Sequence, residues 1–258
     1  MRIKYPPYFL ILSLYFLIVQ SLGAQVLEVG EDLSYSVSWL SFEIGEINMT
    51  VIDSINLRNR KIYKTRFIAQ TTKSLPYFMV NDTLYSDIDN SFFSHRFISH
   101  WWTRDSGHKE EYNFDYENRT YQYASWNLLW EEDTLRTEKA LNFDRVQDGV
   151  SSIYYARSFA GVDTTLKFPT IIKNEIKWTQ IVCKSVSELV KLKKSKMTVE
   201  AYRIDGKAKY DGFKGFNGSW RAWFSVDPKH ILVYAEVDVL LGRIKVELKN
   251  HKLSSHEQ

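Results

Sequence analysis

The chain has 258 residues, a formal net charge of +3 and one cysteine, Cys183. A lone cysteine excludes an internal disulfide and a zinc site built on paired cysteines. The near balance of 34 basic and 31 acidic residues gives no reason to expect nucleic acid as a partner. Because Cys183 lies in an apolar run, we expect it to be a buried, inert thiol.

The N-terminal segment has the composition of a secretory signal peptide. Arg2 and Lys4 precede an apolar run at 8–19, and small residues follow it. The run is shorter than the roughly 20 residues that a membrane span needs, and an uncleaved anchor is the alternative. We therefore expect a signal peptide at 1–24, a single β-rich domain at 25–258, and a periplasmic or secreted mature protein.

Alternation of apolar and polar residues then predicts a series of short strands. Leu33, Tyr35, Val37 and Trp39 share one face of the first strand. Similar runs follow at 44–51, 61–70, 81–88, 92–102, 109–115, 120–126, 136–142, 198–204, 207–210, 219–226, 231–240 and 243–249. Turn residues separate these runs, as at 205–206, and aromatic residues make up 15% of the chain. The pattern predicts an all-β, mainly antiparallel fold: a meander, sandwich or barrel.

One segment breaks the alternation. Val150, Ile153 and Tyr154 fall at helical spacing, which predicts a helix at 149–160 packed on the sheet through these residues. Asp148 is placed to cap the first free amides, and this structural role is favoured over a catalytic one. A weaker helical pattern covers 185–194.

Catalytic and metal-binding signatures are not apparent in the sequence. His95, His100 and His108 lie in one predicted hairpin, but the spacing of five places the first two on opposite faces of a strand. Glu110 and Glu111 are adjacent and also face opposite ways, and there is no G-x-S-x-G nucleophile motif. We therefore assign no catalytic residue, no metal and no cofactor, and favour a non-enzymatic protein.

Three blocks, at 30–45, 146–157 and 222–248, resemble an exported bacterial family known as domain of unknown function 3108. The middle block is similar to its Gln-Asp-x-x-Ser-x-x-Tyr-x-x-Arg helix. The resemblance implies an antiparallel sheet curled into a barrel or half-barrel with one packed helix, similar to periplasmic lipoprotein carriers. Trp39, Tyr154 and Trp223 would then be framework residues. The family has no assigned activity that the resemblance carries over.

These observations favour binding of an apolar or amphipathic partner: a lipid, an acyl chain or an envelope protein. The expected binding residues are Trp101 and Trp102 of one hairpin and Phe213 and Phe216 of a glycine-rich loop, because these rings lie beside polar turn residues. Membrane contact would be transient or made through an uncleaved signal. Two alternatives stay open: an envelope assembly factor that acts through a surface patch, and a glycan hydrolase with two convergent carboxylates.

Overall fold

A computed structural model describes residues 26–57, 60–72, 80–102, 105–129, 132–208 and 216–252. Within these ranges the chain forms fourteen strands and one α-helix, α1, which follows the eighth strand. The elements are β1 (Asp32–Trp39), β2 (Phe42–Leu57), β3 (Arg60–Thr71), β4 (Asn81–Asp89), β5 (Ser94–Trp102), β6 (Gly107–Asp115), β7 (Thr120–Asn127), β8 (Glu132–Ala140), α1 (Ser151–Arg157), β9 (Thr164–Ile172), β10 (Glu175–Lys191), β11 (Thr198–Ala208), β12 (Phe216–Ser225), β13 (Leu232–Val239) and β14 (Arg243–Lys252). The predicted signal peptide lies outside the described residues.

All strands belong to one antiparallel sheet with the order β8-β7-β6-β5-β4-β3-β2-β1-β14-β13-β12-β11-β10-β9. Two meanders therefore meet at the centre, where the first strand pairs with the last and Val37 lies opposite Val246. The sheet is curled, and within the described residues its edge strands β8 and β9 do not pair with each other. The predicted all-β, antiparallel, barrel-like fold with one packed helix is confirmed.

The direction of the strands defines two ends of the curled sheet. Because neighbours are antiparallel, turns after odd-numbered strands lie at one end, here called the upper end. Turns after even-numbered strands lie at the lower end, together with α1 and the segment 141–163 that crosses from β8 to β9. The β10–β11 turn is the exception, because this hairpin folds across the outer surface and Lys194 in its turn pairs with Glu43 near the upper end. In this segment the amide of Gln147 donates to the carbonyl of Pro169 at 2.9 Å, and the Val146 carbonyl accepts from Ser94 at 3.3 Å. The crossing segment thus ties edge strand β9 to the start of β5.

A single apolar core lies inside the curl and includes α1. Buried side chains come from both meanders and from the helix: Tyr35, Ile88, Tyr112, Tyr154, Ile181 and Ile204 are examples. A smaller cluster forms on the opposite face, where the end of the β10–β11 hairpin packs over Trp223 and Val233. The curl therefore has an apolar interior and one arm folded across its outer surface.

The helix is shorter than the sequence predicts, Ser151–Arg157 instead of 149–160. Its end is set by the backbone: the amides of Phe159 and Ala160 bond carbonyls three residues earlier, and Gly161 adopts a φ of +79°. Val150, Ile153 and Tyr154 pack against the core as predicted.

Two local predictions are wrong, and two strands had no prediction. The segment 185–194 is not helical, because its first part continues β10 and Val190 pairs with Val199. The pair 205–206 is not a turn but lies within β11, where Gly206 faces Trp220; a Cβ there would lie 1.9 Å from the indole. Strands β9 and β10 were not predicted, since their turn uses Lys173 and Asn174 at positive φ instead of glycine.

Candidate functional site

A row of polar side chains lines the inner face of the crossing segment and α1. Its members follow the Gln-Asp-x-x-Ser-x-x-Tyr-x-x-Arg pattern, and each is 2% exposed or less: Gln147, Asp148, Ser151, Tyr154 and Arg157. Spacing of three residues keeps the helical members of such a row on one face. The motif is therefore buried at the lower end of the curl and is not a surface feature.

Asp148 organises the start of α1. Its Oδ1 accepts from the amides of Val150 and Ser151 at 2.7 and 2.8 Å, and its Oδ2 accepts from the Ser86 hydroxyl at 2.5 Å. The amide of Asp148 donates in return to the Ser151 hydroxyl at 2.8 Å. Burial raises the pKa of Asp148, although these hydrogen bonds favour the carboxylate. The carboxyl caps the helix and fixes it to β4.

Arg157 ends the row in a buried ion pair. Its two terminal nitrogens each donate to one carboxylate oxygen of Glu31 at 2.7 Å, and its Nε donates to the carbonyl of Lys229 at 2.7 Å. Burial disfavours the charged guanidinium, but the hydrogen bonds and charge of Glu31 outweigh this and raise the pKa of Arg157. The pair joins the first of the three family-like blocks of the sequence, at 30–45, to α1.

Between α1 and the sheet lies a cavity of about 270 Å³. Its described lining comes from α1 and the inner faces of both meanders, and most of it is apolar: Tyr35, Ile47, Met49, Phe67, Gly149, Ser152, Ile153, Ala156, Thr170, Thr179, Trp220, Arg221, Ala222, Phe224, Leu232, Ala235, Val237 and Val246. The helix bounds it at the lower end, and Trp220 and Val237 bound it towards the upper end. This is the apolar interior site that the sequence could not locate.

The polar residues in the described lining are Tyr35, Ser152, Thr170, Thr179 and Arg221. The Tyr35 hydroxyl is buried and forms no hydrogen bond with the described residues, and burial raises its pKa well above the ordinary value. The hydroxyl is therefore protonated at neutral pH and can donate a hydrogen bond. The hydroxyl of Thr170 donates to that of Thr179 at 2.9 Å on the cavity wall. Tyr154 also has a buried hydroxyl with no such partner, but it is not among the lining residues.

Trp101 and Trp102 lie at the upper end of β5 and are not among the described residues that line the cavity. Trp101 stacks on His108 with ring centres 4.1 Å apart, and Trp102 is 38% exposed. Phe216 begins β12, which six strands of the sheet separate from β5, while Phe213 lies outside the described residues. The strand order therefore places Trp101 and Trp102 on one half of the sheet and the start of β12 on the other.

The predicted framework tryptophans make structural contacts. The indole nitrogen of Trp39 donates to the carbonyl of Leu241 at 2.7 Å and so ties two upper-end turns together. The indole nitrogen of Trp223 donates to the Glu188 carboxylate, and its ring packs in the outer cluster. Neither side chain is among the described residues that line the cavity.

A second, polar groove of about 490 Å³ lies over β6–β8 and includes Glu111 and Glu138. A glycan hydrolase needs one carboxyl whose pKa is raised so that it can act as an acid. Although Glu111 is partly buried, hydrogen bonds from Arg96 and Asn113 hold its pKa below the ordinary value. The groove therefore does not supply that acid at Glu111.

In the described part of the chain, no cluster of three or more His, Cys, Asp or Glu side chains fits a metal ion.

The comparisons with known proteins identify a family and a fold. The family model for the proteins of unknown function DUF3108 matches residues 34–249, so the chain belongs to this family. No curated protein matches the chain. None of the helices in the described ranges has the length and apolar character to cross a membrane.

Two solved structures are similar in fold. The crystal structure of a β-barrel-like protein of the DUF1849 family from Brucella abortus has 9% sequence identity and a TM-score of 0.56, and the match covers 88% of this chain and 98% of that one. A protein from Bacteroides fragilis, described as a candidate exported protein with a YmcC-like fold, has 6% identity and a TM-score of 0.38 over 88% of this chain and 97% of that one. The first likeness supports the barrel-like fold alone.

Proposed function

We propose that this is an exported, non-enzymatic protein that binds an apolar or amphipathic ligand, such as a lipid or an acyl chain, in the cavity beneath α1. The observation that carries the proposal is the lining of this cavity: most of it is apolar, and one lining residue, Tyr35, has a hydroxyl with no hydrogen-bond partner among the described residues. An apolar pocket with a few placed polar groups is the usual form of a small-molecule site.

The size of the cavity limits the ligand. Ligand pockets usually have about 300–1,000 Å³, and an engineered apolar cavity of about 150 Å³ in another protein binds benzene. A cavity of about 270 Å³ therefore suits a short chain or one end of a longer chain. The Tyr35 hydroxyl supplies a hydrogen bond for a polar head, such as a carboxylate.

A fluorescent fatty acid titrated into the protein tests the polar contact. Tyr35→Phe removes one hydroxyl without changing the shape of the ring. Because a hydrogen bond to a charged group is worth about 1.5–3 kcal/mol, we expect the dissociation constant to rise at least about tenfold. Tyr154→Phe is the matched control, since it removes a buried, unpartnered hydroxyl outside the cavity lining. Equal affinity in both variants would contradict the role of Tyr35.

The same titration tests the cavity itself. Ala235→Leu adds a side chain to the cavity wall, whereas Ala124→Leu adds the same volume in the outer groove. We expect Ala235→Leu to abolish binding of the fatty acid and Ala124→Leu to leave it unchanged. Equal binding by the two variants would place the ligand elsewhere.

Export rests on the sequence of residues 1–24. We expect N-terminal sequencing of the protein from its own cells to begin near Ala24 or Gln25. Membrane-bound material that retains Met1 would instead indicate an uncleaved anchor.

A further inference from the structure

Two neighbouring turns at the upper end carry unusually exposed apolar side chains. They are Leu40 at 59% and Phe42 at 75% beside the β1–β2 turn, and Leu240 at 84% and Leu241 at 67% in the β13–β14 turn. The turns adjoin because Trp39 pairs with Ile244, and the bond from Trp39 to Leu241 joins them. These four residues are called the twin-turn tip below.

The turn geometry does not explain these side chains. Leu40 and Ser41 have φ values of 46° and 76°, a region in which glycine, asparagine and aspartate are favoured. Leucine is disfavoured in this backbone conformation. The Leu40 side chain is 59% exposed, so burial within the protein does not offset this cost. Glycine, asparagine or aspartate would stabilise these turns better than the apolar residues do. The apolar tip therefore indicates contact with an apolar environment outside the protein.

A basic turn lies beside the tip. The β10–β11 turn carries four exposed lysines, Lys191, Lys193, Lys194 and Lys196. Lys194 forms an ion pair with Glu43, the residue that follows Phe42. The other three have no acidic partner among the described residues.

The acidic residues near the tip are paired. Glu46 pairs with Lys249, and Asp238 pairs with Arg221 and Arg243. Apart from Glu188 and Glu200, which lie further along the β10–β11 arm and accept hydrogen bonds from Trp223 and Ser187, the unpaired charge beside the apolar tip is therefore positive. This charge complements an anionic surface.

We propose that the twin-turn tip inserts into an anionic lipid surface while the basic turn binds the lipid headgroups. Apolar side chains flanked by lysines are the combination that holds a peripheral protein at the boundary of headgroups and acyl chains. The four side chains of the tip are at least 59% exposed at two chain turns, so a protein partner would need a recess to bury them, whereas a bilayer needs none. The cavity extends towards this same end. Docking would therefore turn the proposed ligand site towards the membrane.

Vesicle flotation tests the apolar contact. The purified protein is mixed with vesicles of phosphatidylcholine alone or of equal parts phosphatidylcholine and phosphatidylglycerol. We expect the wild type to float with the anionic vesicles. Phe42→Ser with Leu240→Ser should weaken this binding by at least about a hundredfold, because two large apolar side chains lose their burial. Ile55→Ser with Leu57→Ser is the matched control, since it removes two exposed apolar residues of β2 near the lower end and should bind as the wild type does.

The charge contribution is tested separately. Lys193→Gln with Lys196→Gln should weaken binding to anionic vesicles by about fivefold for each lysine, and less at high salt. Arg60→Gln with Lys61→Gln removes the same charge at the lower end and should have no such effect. A wild-type protein that floats with neither vesicle, or a tip variant that floats like the wild type, would overturn the proposal. Since no cavity ligand is needed in this assay, its failure would leave the proposed ligand site standing.

Discussion

The buried pair of Glu31 and Arg157 offers the clearest test of how the helix is held. Arg157→Met removes the guanidinium and leaves the Glu31 carboxylate buried without its cation; the Lys229 carbonyl also loses its donor. Breaking a buried pair in this way costs about 3–5 kcal/mol of unfolding free energy. Since each kcal/mol shifts the melting temperature of a domain of this size by about 2–4 °C, we expect a melting temperature roughly 6–20 °C lower.

A double variant distinguishes the cost of leaving a buried charge unpaired from the loss of side-chain packing. In Glu31→Leu with Arg157→Met no charge is left buried, and apolar replacement of a whole pair is often neutral or stabilising. We therefore expect urea unfolding, followed by tryptophan fluorescence, to show the double variant more stable than Arg157→Met alone. Lys249→Met is the control, because it breaks an exposed pair with Glu46 that is worth about 0–1 kcal/mol. A loss for Arg157→Met as small as this control would refute the reasoning.

Further predictions follow from the same contacts. Asp148→Ala should lower the unfolding free energy by about 3 kcal/mol in urea titrations, since it removes the cap and leaves the Ser86 hydroxyl buried without its acceptor. Burial raises the pKa of Asp148 above 3.8, so the folded state binds the proton more tightly than the unfolded state does. Between pH 3.8 and the raised pKa, the unfolding free energy of the wild type should therefore fall as pH rises, whereas that of Asp148→Asn should not show this loss. Burial raises the pKa of Cys183 to about 11, so its alkylation by iodoacetamide at neutral pH should follow unfolding, and rapid alkylation of folded protein would contradict this. Because no residue of β5 is among the described cavity lining, Trp101→Ala should leave fatty acid affinity in a fluorescence titration unchanged, and a clear loss of affinity would extend the ligand site to this strand.

Most of the strands could be predicted because their alternation is local. Leu33 and Tyr35 alternate with polar residues because one face of β1 meets the core, and this signal needs no knowledge of the partner strands. Gly206 could not be understood in this way. Glycine is required there because the Trp220 ring on the neighbouring strand occupies the space that a Cβ would need, and not because the chain turns.

The candidate site was less accessible to sequence reasoning. Glu31 and Arg157 are 126 residues apart, so their pairing depends on the packing of α1 against the sheet. The cavity walls likewise come from strands at both ends of the chain, and only the fold brings Tyr35 and Ala235 to one space. The resemblance to the family helix did point to the residues beside the site, because all the polar positions of its motif are buried there.

Native mass spectrometry of the protein purified from its own cells without detergent tests the proposed ligand site most directly. The account predicts that the wild type and Tyr154→Phe carry an additional mass, which organic extraction identifies as an apolar or amphipathic molecule. Ala235→Leu, purified in the same way, should have the mass of the polypeptide alone. The bare polypeptide mass in all three proteins, or the same bound molecule in Ala235→Leu as in the wild type, would contradict a ligand in the cavity beneath α1.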